Sequence, residues 1–241
     1  MKIGGLEKLS LIDYPGCLSA IIFTVGCNFR CHFCYNPMLV WPSKELGGIE
    51  EYKNKGFSPV PEEDLFLFLK SRVGKLDGIV ITGGEPTMHH DLPEFITKIR
   101  ELGFKIKLDT NGTNPETLAK LLEQKLIDYL AMDLKAPLAK YELVVGVPVD
   151  CQKLLRSVKM VIESGLPHEF RTTVTPGLLE IDDFSEMGQV IKGADAWYLQ
   201  KFKSDTELVD PMLQGKKAYS SQEMEEMAII GSKFVGICQL R

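Results

Sequence analysis

Long apolar runs are missing from this 241-residue chain: none approaches the roughly 18 consecutive residues needed to cross a bilayer, so a membrane span is not expected. The opening "MKIGGLEKLSLIDYPG" has no apolar core followed by a small-residue cleavage site, which reads as no signal peptide and a cytoplasmic location. An excess of positive charge is missing too. With 33 acidic and 28 basic side chains the net charge is −5, which gives no electrostatic reason to expect nucleic acid as the main partner. Internal repeats, low-complexity tracts and heptads are absent. Cysteine is scarce, at six residues, but half of it falls in "GCNFRCHFCYNP" (26–37), where Cys27, Cys31 and Cys34 occupy eight positions. In an unexported chain that clustering argues for metal binding or redox chemistry over three disulfides.

A hydrophobic content of 44% with 25% charged residues is globular, and one domain spanning 1–241 is expected. Apolar, β-branched runs predict six strands, at 19–25, 78–82, 104–109, 129–134, 170–175 and 197–202. Between them, helical spacing predicts helices at 61–73, 92–102, 115–125, 151–164 and 182–191, with a last one at about 220–232. Strict alternation implies a parallel sheet. Six repeats suit either of two α/β folds, an open doubly wound sheet or a partial (β/α)6 TIM-like barrel with outer helices, and the spacing alone does not choose between them; the barrel is the fold we expect. Residues 41–60, "WPSKELGGIEEYKNKGFSPV", break the rhythm as a polar loop insertion that covers a site, meets a partner or is merely disordered.

The unusual residues gather where the strands end. Cys27 follows the first strand, Gly83-Gly84-Glu85 the second, Asp109-Thr110-Asn111-Gly112 the third, and Asp133 and Lys135 the fourth. In parallel α/β folds that edge binds ligands. Three readings of the cysteines compete. Zinc could recruit His32 as a fourth ligand, but His32 directly follows Cys31 and no second Cys-x-x-Cys pair appears. A thioredoxin-like pair would leave Cys27 unexplained. An iron–sulfur cubane takes one thiolate per iron, so three cysteines leave one iron with an exchangeable position, provided Cys17, Cys151 or Cys238 does not fill it.

Cys27-x3-Cys31-x2-Cys34 after a first strand, with Phe33 before the last cysteine and "TGGEP" after the second strand, resembles the signature of the radical S-adenosylmethionine superfamily. The likeness extends to "LSLIDYPG", "LDTNGT" and "MDLKAP", which together resemble the glycyl-radical activating enzymes, and among them the activators of anaerobic ribonucleoside-triphosphate reductase. The resemblance implies an oxidoreductase with a [4Fe–4S] cluster whose open iron takes the amino and carboxylate groups of S-adenosylmethionine. Reductive cleavage would give methionine and a 5′-deoxyadenosyl radical, which would take a hydrogen from a glycine of the partner enzyme. A low-potential donor such as a flavodoxin or ferredoxin would supply the electron.

Residue by residue, the resemblance assigns Gly83, Gly84 and Glu85 to the methionyl amino group, and Asp109, Thr110 and Asp133 to the cofactor or a monovalent cation. Physically, glycines lacking Cβ admit a close backbone approach, expected here to be to the ligand. Asn111 reads as a turn former ahead of the helix at Pro115. Lys135 could pair with the methionyl carboxylate. Arg171, on a strand, needs an anionic partner, a cofactor carboxylate or the substrate peptide. Phe33 and Tyr35 offer aromatic faces, although Tyr35 stands where relatives commonly have histidine. His89-His90 lies outside the pattern and reads as solvated. Two rival functions remain: radical chemistry on a purine-like or deazapurine small molecule, and a non-catalytic iron–sulfur or zinc module.

Overall fold

The computed structural model describes residues 1–40 and 58–241; of the expected insertion at 41–60, the part at 41–57 lies outside the described residues. Among the described residues eight strands, β1 (Ile3–Ser10), β2 (Ser19–Thr24), β3 (Gly78–Gly83), β4 (Lys105–Thr110), β5 (Tyr129–Asp133), β6 (His168–Val174), β7 (Ala196–Lys201) and β8 (Ile237–Leu240), are hydrogen-bonded in chain order in one sheet. β1 runs antiparallel to β2, whereas β2–β3, β3–β4, β6–β7 and β7–β8 are parallel. A doubly wound sheet reverses its order at a switch point; this one does not, and it has the winding of an incomplete β/α barrel.

The six expected strands correspond to β2 to β7. The helices α1 (Pro37–Val40), α2 (Glu62–Arg72), α3 (Leu92–Arg100), α4 (Pro115–Glu123), α5 (Tyr141–Val145), α6 (Cys151–Glu163), α7 (Asp183–Val190) and α8 (Ser221–Gly231) include all six that the spacing predicts, together with the short α1 and α5. Charge and caps agree with these boundaries. Glu62, Glu63 and Asp64 open α2 and Lys70 and Arg72 close it, Asp150 caps α6 through the N–H groups of Gln152 and Lys153, and Ser220 with Glu223 forms a capping box on α8.

The contacts divide the chain into two compact units, Met1–Asn28 with Met38–Thr110 and Glu116–Leu130, and Phe29–Pro37 with Asn111–Pro115 and Ala131–Arg241. In the first, Ile79, Ile81, Leu92, Ile96, Ile99, Ile106 and Leu108 are fully buried, so strands covered on both faces read as continuous apolar runs. In the second, Trp197 stacks on Phe184 at 5.6 Å, and its Nε1 donates to Thr172 Oγ1 at 2.9 Å. The same hydroxyl donates to the Leu134 carbonyl at 2.6 Å, so one threonine ties β7 to the end of β5. Trp197→Phe keeps most of the apolar area but leaves Thr172 without its donor. We expect a loss of about 1–2 kcal/mol, read from the urea midpoint at unchanged slope.

Candidate active site

In the first unit, Cys27 stands just beyond the end of β2, and the segment leading to it is laced to the Gly-Gly turn after β3. Gly84 N–H donates to the Thr24 carbonyl at 2.8 Å and Glu85 N–H to the Gly26 carbonyl at 2.7 Å. The glycines are required by the chain's own packing. A Cβ on Gly83, whose φ is +113°, would lie 2.4 Å from Thr24 N, and one on Gly84 would lie 2.0 Å from Gly26 O. They permit a close approach to residues 24–26 of the chain itself.

Glu85 is 1% exposed, and its Oε1 accepts from Thr87 N at 3.0 Å and from Thr110 Oγ1 at 2.7 Å. A buried carboxylate needs such donors, and these link the ends of β3 and β4. Asp109, also buried, lies 3.9 Å from the Nζ of Lys107, a 1%-exposed lysine that donates to the Asp13 carbonyl at 2.7 Å. His89, expected to be solvated, is half-buried, and burial lowers its pKa from the ordinary histidine value.

In the second unit, Cys31 is buried, and the Cys34 N–H donates to the Cys31 carbonyl at 3.0 Å, so the two thiols share one tight turn. Burial pushes the Cys34 thiol pKa up, opposed by a backbone bond from Asn36 and by the Lys135 charge. Asp133, at the end of β5, accepts from Arg171 Nε at 3.0 Å and from Lys135 Nζ at 3.1 Å. Asp133 is therefore an anionic partner of Arg171, and it is shared with Lys135. Burial alone would raise the Asp133 pKa; the Arg171 and Lys135 charges overcome it and hold it at about 2. Burial would lower the Lys135 pKa, but the Asp133 charge, with Cys31 and Tyr141 behind it, raises it above the ordinary lysine value.

Phe33 is buried with Lys135 Nζ 5.7 Å from its ring centre, whereas Tyr35 is 49% exposed under Lys203 at 5.9 Å. Asn111 Oδ1 accepts from Thr113 N at 3.0 Å, the turn-forming role expected of it. The sequence reading missed Tyr141 on α5. It is fully buried, and its hydroxyl lies 3.4 Å from both the Asp133 carbonyl and Lys135 N.

The depressed Asp133 pKa has a stability consequence whose sign is fixed. Its folded value of about 2 lies below the unfolded value near 3.8, so the stabilisation is complete above that value and is lost as the pH falls through 2. With the side chain 29% exposed, solvent screens part of it, and we expect Asp133→Asn to cost about 1–3 kcal/mol near neutrality. Denaturation series at several pH values should show the gap to wild type constant above about pH 5 and narrowing below about pH 4.

In number and kind, the three clustered thiols suit a three-thiolate cubane. Among the described residues no cysteine is in a disulfide. Cys17 precedes β2 while Cys27 follows it, a separation of about 20 Å along a six-residue strand. Cys151 starts α6 beside Asp150, and Cys238 lies in β8 where a Cβ on Gly231 would meet its sulfur at 2.6 Å. His32 Nδ1 is 3.3 Å from Asp210 Oδ2. Among the described residues no group of three or more His, Cys, Asp or Glu side chains is placed to hold a single metal ion, and a cubane, with one thiolate per iron, does not require one.

The sequence profile of the radical SAM superfamily matches residues 21–190. This chain belongs to that superfamily. It is a radical SAM enzyme, and the family implies a [4Fe–4S] cluster and S-adenosylmethionine. Over 239 residues, 97% of this chain and 92% of the relative, it is 32% identical to a Methanocaldococcus jannaschii protein provisionally named a glycyl-radical enzyme activating enzyme. It is also 30% identical over 209 residues to a Sulfolobus acidocaldarius protein provisionally named a GTP 3′,8-cyclase, of whose length the match spans 61%. Among solved structures, a domain of the pyruvate-formate lyase-activating enzyme of Bacteroides vulgatus aligns with a TM-score of 0.54 at 16% identity, over 68% of this radical SAM chain and 99% of that one. Streptococcus suis SuiB bound to S-adenosylmethionine aligns with a TM-score of 0.66 at 17% identity, over 92% of this chain and about half (49%) of that one. Among the described residues no helix is long and apolar enough to cross a membrane.

Proposed function

We propose that this radical SAM enzyme is a glycyl-radical activating enzyme, and that its partner is an anaerobic ribonucleoside-triphosphate reductase. The observation that carries the first part is the co-extensive match to the Methanocaldococcus jannaschii relative, 97% of one chain on 92% of the other. The choice of partner rests on the likeness of "LSLIDYPG", "LDTNGT" and "MDLKAP".

Cys27, Cys31 and Cys34 would hold three irons of the cluster, which when bound supplies the electron that cleaves the sulfonium of S-adenosylmethionine. Lys135 and Arg171, both oriented by Asp133, are the cationic donors for the methionyl carboxylate. The Gly83-Gly84 turn supports the Cys27 arm and presents backbone groups to the methionyl amino group. Glu85 and Thr110 contribute by locking that turn to β4, while Asp109 is the group for a ribose hydroxyl or a monovalent cation. Phe33 and Tyr35 supply aromatic faces for the adenine. Reduction falls to a low-potential flavodoxin or ferredoxin.

The matches to proteins provisionally named GTP 3′,8-cyclases favour a second reading, a purine-like small-molecule substrate. The two separate cleanly. Reduced, cluster-loaded enzyme with S-adenosylmethionine is mixed with the reductase or with GTP. Activation predicts a glycyl-radical signal by electron paramagnetic resonance on the reductase and unchanged GTP. A modified nucleotide without a protein radical would sink the activating-enzyme reading.

A further inference from the structure

The cysteine turn has no regular structure of its own, yet its backbone groups must find partners. On one side they meet the end of α5: Arg30 N–H donates to the Val145 carbonyl at 2.8 Å and His32 N–H to the Val144 carbonyl at 3.4 Å. The chain turns away there at Gly146, whose φ is +70° and where a Cβ would lie 2.8 Å from the Arg30 carbonyl. On the other side the partners come from the segment after β7. Val209 N–H donates to the Cys34 carbonyl at 2.9 Å and Asp210 N–H to the His32 carbonyl at 3.0 Å. The Asp210 carboxylate reaches His32 Nδ1 at 3.3 Å, and so turns toward itself the imidazole that sits between two metal-binding cysteines.

That segment is built to stay in place. Its neck is closed by Gly215 N–H on the Ser204 carbonyl at 2.9 Å, and Leu208 and Leu213 anchor it at 3% and 4% exposure. Asp210 Oδ1 accepts from Met212 N at 2.9 Å, and Gln214 Nε2 donates to the Thr206 carbonyl at 3.2 Å. We infer that residues 204–215 are a clasp that holds Cys31 and Cys34 in their ligating arrangement before any cluster is present, with Val209 and Asp210 as its positioning residues. That these thiols are cluster ligands rests on the function proposed above; the clasp rests on its own hydrogen bonds. Its contribution to the reaction is to keep two of three thiols at fixed spacing through assembly and turnover, so that little ordering remains to be done when iron arrives.

The test uses the full chain. Apo protein is treated with iodoacetamide under native conditions, and each cysteine's labelling rate is read by peptide mass spectrometry for wild type, Asp210→Ala, Asp210→Asn, Val209→Pro, Val209→Ala and Gln214→Ala. Val209→Pro deletes the donor to the Cys34 carbonyl, whereas Val209→Ala keeps it; Asp210→Asn retains the cap and a polar partner for His32. We expect Cys31 and Cys34 to label about fivefold faster or more in Asp210→Ala and Val209→Pro, with Cys17 and Cys27 unchanged and the other three variants like wild type. Equal rates across the set would overturn the clasp. So would acceleration at all cysteines in every folded variant. Should Val209→Pro fail to fold, the Asp210 pair still decides. In parallel, cluster loss to a ferrous chelator should quicken in the same two variants. Wild type that takes up no iron at all would defeat the cluster assignment while leaving the labelling result to judge the clasp.

Discussion

Cys31→Ala, reconstituted anaerobically with iron and sulfide, should bind iron more weakly than wild type by more than the roughly 10–100-fold that loss of a merely supporting residue costs. Three features make the effect large. Cys31 is buried in a turn fixed by backbone bonds on both sides, so its removal leaves a gap that the loop cannot close by sliding another donor into it. The remaining thiols among the described residues lie on other elements: Cys17 precedes β2, Cys151 starts α6 and Cys238 is in β8. His32, the adjacent nitrogen donor, is directed to Asp210. Iron per chain and the visible absorbance of the cluster report the result. Full iron content in the variant would mean that another residue completes the ligand set.

Gly84→Ala is expected to cost about 3–5 kcal/mol, well beyond an ordinary surface change, and to reduce iron content as well. The new methyl would sit 2.0 Å from the Gly26 carbonyl oxygen, which is backbone and cannot rotate aside. Relief requires moving either the turn after β3, held by Thr24 and Gly26, or residues 24–26 themselves, and Cys27 is the next residue along. The damage should therefore appear in two measurements, a lower denaturant midpoint and weaker cluster retention. Gly103→Ala is the control. Its Cβ would meet nothing within 4 Å, and only its φ of +92° is strained, so we expect about 1 kcal/mol and normal iron content.

Much of the fold was legible because buried strands announce themselves. "SAIIFTV" and "GIVIT" are apolar on both faces in the sequence and buried on both faces in the sheet. The two edge strands were not. β1 begins "IGGLEK", with two glycines and alternating charge, and β8 is four residues long with an exposed face, so neither carries the pattern of a buried strand. Among site residues, the cysteines and the Gly-Gly turn could be read from local spacing, because their chemistry depends on neighbours in sequence. The partner of Arg171 could not, since Asp133 is 38 positions away, and the same holds for Asp210 against His32. Glycine necessity was legible at Gly84, but its packing against Gly26 was not, because which backbone arrives opposite a missing Cβ depends on the fold.

The most direct test of the central claim is to reconstitute the wild-type chain anaerobically, reduce it, add S-adenosylmethionine and quantify 5′-deoxyadenosine. The account predicts formation that requires the reductant and ceases when the iron is chelated. A fully loaded, reduced cluster that leaves S-adenosylmethionine intact would contradict it, and with it the roles proposed for Gly83, Gly84, Asp133, Lys135 and Arg171.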